Sequence, residues 1–170
     1  MLRLARIAVM ISVLISTSGV STASQAKEPF ARVYLALRGC TSCSHCRTAI
    51  RQMARSGSSG GEARVTTDAV EVRYPRPVAS IPLRDVIHRL AENRLHDLTL
   101  VDVLFEAEGT VARSSDGATF TLKGSDQSFP LRLEATHADG PVRLTALVQG
   151  WREKGKLTLV ARGVAPARAT

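Results

Sequence analysis

Only two stretches of this chain repeat their apolar residues with the period of a helix, and both lie before residue 96. They are Cys46, Ala49, Ile50, Met53 and Ala54, then Leu83, Val86, Ile87, Leu90 and Ala91. The spacing i, i+3, i+4, i+7, i+8 gathers each set into one stripe on a helix surface. Elsewhere the apolar residues alternate, the period of a strand with one buried face. Val33, Leu35 and Leu37 alternate ahead of the first helix. Ala63 to Thr66, and then Val70, Val72 and Tyr74, follow it on either side of Thr67-Asp68. Leu98 to Phe105 comes after the second helix and is apolar on both parities. It is therefore expected to be covered on both faces, by the helices and by the rest of the chain. The order strand–helix–strand–strand–helix–strand is that of the ferredoxin-like split βαβ arrangement.

Local signals set the expected boundaries. Ser56-Gly57-Ser58-Ser59-Gly60-Gly61 stops the first helix. Ser80 is the expected N-cap of the second, with Pro82 in its first turn and an end near Asn93 or Leu95. From Glu106 onward no helical stripe occurs. Short alternating runs cover Phe105 to Val111, Ala118 to Leu122, Phe129 to Ala135, Val142 to Val148 and Leu157 to Val160. Gly109, Gly150 and Gly163 fall at or near strand positions, which suits a small curved barrel or sandwich. In strand count and glycine placement these runs resemble an oligonucleotide/oligosaccharide-binding (OB) barrel. The expected class is α+β: a ferredoxin-like βαββαβ domain over 27–105, then a small all-β domain, OB-like barrel or sandwich, over 106–166, with a tail over 167–170. Aromatics are few, so the core is expected to rest on Val, Leu, Ile and Ala.

Residues 1–26 read as a secretory signal peptide: Arg3 and Arg6 without an acid, an apolar run from Ile7 to Ile15, then small polar residues up to Ala26. The apolar run is shorter than the ~20 residues of a membrane span. The mature chain is expected to be periplasmic or secreted and not integral to the membrane. The net charge of +8 is spread over scattered arginines with no dense basic block. Nucleic acid is therefore not an expected partner.

The three cysteines of the chain stand together in Gly39-Cys40-Thr41-Ser42-Cys43-Ser44-His45-Cys46, between the first strand and the first helix. An odd number leaves at least one thiol outside any intramolecular pair. A Cys43–Cys46 bridge closes too short a loop to stabilise the fold much. At the start of a helix, exposed N–H groups and the helix dipole favour thiolates. A thiolate pair on a short turn suits a soft ion such as Cu(I), with Zn(II) and Hg(II) as alternatives. Cys40 suits three roles: a third thiolate, a resolving thiol, or a small buried residue at the strand end.

The first strand, its glycine, the C-x-x-C turn opening the first helix and the element order together resemble the heavy-metal-associated domain. That family comprises small carriers of copper, mercury and related metals, and the module also occurs in metal-transporting ATPases. The resemblance covers about residues 31–105 and implies Cys43 and Cys46 as metal ligands. The chain departs from the family pattern in three places. Gly39 stands four positions before Cys43 and not three, Thr41 stands where the family has methionine, and Cys40 is additional. In such a fold the first strand–helix turn, the next hairpin and the loop after the second helix share one end. Thr67-Asp68 and Leu95-His96-Asp97 are thus expected near the cysteines, and His96 becomes a candidate further ligand.

Other cysteine chemistries fit less well. An iron–sulfur motif needs a fourth cysteine where Ile50 stands, and haem attachment needs a histidine where Ser44 or Arg47 stands. No G-x-S-x-G, H-E-x-x-H or glycine-rich phosphate loop with lysine occurs. The expected function is that of an exported soft-metal carrier, chaperone or sequestering protein, not an enzyme. Its expected partners are the metal ion and a metal-transporting membrane protein or another envelope protein. The alternatives are a thiol–disulfide redox protein, or a periplasmic interaction module whose cysteines have no function.

Overall fold

The computed structural model describes residues 30–39, 41–75, 77–93, 95, 97–133, 139–153 and 155–167. In chain order the elements are β1 (Ala31–Arg38), α1 (Ser44–Gly57), β2 (Glu62–Val65), β3 (Ala69–Tyr74), α2 (Leu83–Ala91), β4 (Thr99–Ser114), β5 (Gly117–Leu122), β6 (Ser128–Arg132), β7 (Gly140–Gln149) and β8 (Thr158–Pro166). The protein is mixed α/β, with two helices among the described residues and a strand-rich body.

The first four strands lie in the order β2-β3-β1-β4, every neighbour antiparallel. Alternation aligns the apolar positions across them: Val33 stands between Val72 and Phe105, and Leu35 between Val70 and Val103. Ile50 and Ala54 of α1 and Val86, Ile87 and Leu90 of α2 join the same buried cluster. Each Val, Leu or Ile side chain so buried contributes about 1.5–3 kcal/mol before chain entropy is counted. The helices approach closely at Gly57, where an added Cβ would come within 3.0 Å of the Val86 Cα. α2 begins differently from the expectation. Pro82 takes the cap position with no side-chain cap bond, Ser80 stays exposed upstream, and the helix ends at Ala91. Proline's fixed φ suits a helix start, and its missing N–H costs nothing there.

The segment apolar on both parities has a different explanation from the one expected. Ala36 pairs with Asp102 but Leu37 pairs with Leu100, so Val101 is an extra residue on β4. Such a bulge turns the side chains before it to the opposite face. Leu100 therefore enters the same core as Val103 and Phe105, at 5%, 0% and 0% exposure, and needs no second cover.

β4 runs unbroken across residues 105 and 106. Its first part pairs with β1, and its later part with β7 and β5. β4, β5, β6, β8 and β7 close into a five-stranded barrel, with β6–β8 parallel and the other four pairings antiparallel. Phe105 faces the helices' core and also meets Phe120 and Phe129, with ring centroids at 6.3 and 5.6 Å. One hydrophobic cluster therefore runs through both halves. The cluster rests on Val, Leu, Ile and Ala as expected, with Phe105, Phe120 and Phe129 meeting within it. Gly109 lies beneath the Phe120 ring: an added Cβ would sit 2.4 Å from Phe120 Cζ and 2.3 Å from the Thr121 carbonyl oxygen.

Polar ties join the halves as well. The Gln127 side-chain amide accepts from the Ile81 N–H (2.7 Å) and donates to the Ile81 carbonyl (2.9 Å). Arg84 donates to the Gly155 carbonyl, and Arg152 to that of Val101. Arg152 also covers the ring of half-buried Trp151, 4.3 Å from its centroid.

Candidate metal centre

β1 delivers the chain to the cysteine turn through Gly39. Its φ is +119°, and an added Cβ would lie 1.4 Å from the Asp97 carbonyl oxygen. Only glycine fits such an approach without moving the backbone. Two further contacts seat the turn. The Thr41 hydroxyl, buried at 5% exposure, donates to the Thr67 carbonyl. The Leu37 N–H donates to the Asp68 carbonyl at 2.7 Å. The β1–α1 turn, the β2–β3 hairpin and the loop after α2 thus meet at one end of the sheet.

Cys43 is the N-cap of α1, extended at φ −73° and ψ 146°. Its Sγ accepts the Cys46 N–H at 3.1 Å, and its carbonyl accepts the Arg47 N–H at 3.0 Å. A cap side chain normally offers an oxygen to these N–H groups; here a sulfur does so. No acidic residue occupies the first turn of α1. The helix N-terminus therefore directs its positive end toward this sulfur with no carboxylate of its own first turn competing. Cys43 is exposed, while Cys46, one turn further on, is half-buried against the core. The two are not bridged to each other. A side chain one turn along a helix lies on the same face, so both sulfurs belong to the same end of α1.

The other candidate ligands divide. Cys40 and His96 lie outside the described residues. The residues flanking His96 are described: the Leu95 N–H bonds to the Asn93 side chain at 2.9 Å, and Asp97 meets Gly39. His45 is exposed beside the pair. Among the described residues no group of three His, Cys, Asp or Glu side chains is placed to hold a metal ion. What is described is a pair of cysteines one turn apart at the start of α1; thiolate is the ligand type that soft ions prefer. Thr41 was not foreseen as a structural part of the site. A lone threonine among cysteines carries no burial signal, because its partner, Thr67, is distant in sequence.

Among the described residues no helix is long and apolar enough to cross a membrane. Neither the models of protein families nor the curated proteins and solved structures contain a match to this chain.

Proposed function

We propose that this is an exported protein that binds a soft metal ion, Cu(I) or a related ion, between Cys43 and Cys46, as a carrier and not as an enzyme. One observation carries the reading: Cys43 Sγ caps the N-terminus of α1, with Cys46 one turn away. N–H donation and the helix dipole both favour the thiolate that a soft metal requires. The strand order β2-β3-β1-β4 supports a ferredoxin-like unit of the heavy-metal-associated type, which uses its first strand–helix turn for metal. The strand order β4-β5-β6-β8-β7, closed through β4–β7, supports an OB-like second unit. The reading places the protein in the periplasm or outside the cell, handing its metal to an envelope or membrane protein.

The test is Cu(I) titration of the mature chain under anaerobic conditions against a competing chelator. The native chain should bind one equivalent, and Cys43→Ser/Cys46→Ser should bind none. Stoichiometric binding by the double variant refutes the site. Metal must displace thiol protons, so affinity should fall as the pH is lowered. The same cap geometry supports dithiol–disulfide exchange as the second reading. That reading requires reversible Cys43–Cys46 oxidation and turnover with a reductant in metal-free buffer.

A further inference from the structure

β2 is the one strand of the sheet with a single neighbour among the described residues. A cavity of about 380 Å³ runs along it, lined by Arg55 at the end of α1, by Gly61, Glu62, Ala63 and Arg64, and by Arg73 of β3. Arg73 is half engaged: one Nη donates to Glu71 at 2.5 Å, while its Nε is buried without an acceptor among the described residues. Arg55 and Arg64 are exposed, and their guanidinium groups have no ion-pair or hydrogen-bond partner among the described residues. Glu62 is the only carboxylate in the lining, and it stands opposite Arg73 across the β2–β3 pair.

We propose that this edge groove binds an oxyanion group of the phosphate or sulfate class through Arg55, Arg64 and Arg73. A guanidinium presents a planar fork of donors that matches two oxygens of such a group. An unpaired sheet edge adds backbone N–H groups to the same concavity. A short, charged edge strand also discourages unwanted pairing with other chains. That role is met by charge of either sign and does not call for three guanidinium groups around one groove with one carboxylate among them. The Arg47 and Arg51 side chains extend the positive surface along α1, which contains no acidic residue.

The oxyanion can come free in solution or on a lipid headgroup, and two measurements on the full chain separate these sources. The first is titration with inorganic phosphate at low ionic strength, followed by amide chemical shifts. The second is co-sedimentation with phosphatidylglycerol vesicles, with phosphatidylcholine vesicles as the blank. Vesicle binding that phosphate displaces points to the free anion as a sufficient ligand; vesicle binding that resists phosphate points to the headgroup. Arg55→Ala/Arg64→Ala should weaken the binding observed by about tenfold or more. Arg89→Ala/Arg132→Ala removes the same charge from exposed sites outside the groove. It should change binding by less than about twofold at matched salt. Circular dichroism checks that both variants fold. Equal losses in the two variants, or no saturable binding of either ligand by the native chain, overturns the proposal.

Discussion

Replacing Gly39 with alanine should separate the cysteine turn from the loop that seats it. Two penalties add at this position. A side chain held at φ +119° costs about 1–3 kcal/mol. The new Cβ would also lie 1.4 Å from the Asp97 carbonyl oxygen, so one of the two loops must move. That movement sacrifices contacts and a hydrogen bond, a further ~1–3 kcal/mol. Gly117→Ala isolates the first penalty, because Gly117 has φ +128° with nothing within 4 Å of the added Cβ. Urea unfolding of both variants at equal m-value gives the difference directly. Gly39→Ala should be the less stable by at least about 1 kcal/mol, or roughly 3–5 °C in Tm. Its Cu(I) affinity should fall as well, whereas that of Gly117→Ala should not. The reasoning is refuted if the two variants lose the same stability, since the approach of Asp97 to Gly39 would then cost nothing to disturb.

The other predictions concern the body of the fold. Gln127→Ala removes both bonds to Ile81 and should cost about 1–3 kcal/mol in chemical denaturation. The Tyr74 hydroxyl is fully buried with no hydrogen-bond partner among the described residues, and burial pushes its pKa far up, so it stays neutral. Tyr74→Phe should therefore leave stability unchanged or raise it by up to about 1 kcal/mol, and a clear loss would reveal a partner for that hydroxyl. Burial pushes the Glu71 carboxyl up. Hydrogen bonds from Arg73 and Tyr34, with the charges of Arg73 and Arg32, outweigh burial and hold its pKa below the usual value. A carboxylate with a depressed folded pKa stabilises the fold above its unfolded pKa of about 4.3, and that stability is lost as the pH falls through the folded value. A Tm-versus-pH series should thus show Glu71→Gln less stable than the native chain at neutral pH, with the gap closing in acid. A gap that is constant with pH refutes the ion-pair account.

The sequence by itself marked out both helices and the apolar faces of most strands, because burial leaves a local period in the chain. Ile50 and Ala54, like Val86, Ile87 and Leu90, carry the helical spacing within a few residues, and Val33 with Leu35 carries that of a strand. The placement of Cys43 at the start of α1 was legible for the same reason, since a cysteine followed at once by a helical stripe stands at a helix entrance. Tertiary structure decided whatever depends on residues far apart in the chain. The bulge at Val101 arises from pairing with β1, so the doubly apolar run suggested two covers where one core suffices. β4 continues to Ser114 because β1 holds its first part and β7 its later part, and no short-range signal records either partner. Gly39 and Thr41 looked like departures from a motif. Their roles come from Asp97 and Thr67, which only the folded chain brings beside them.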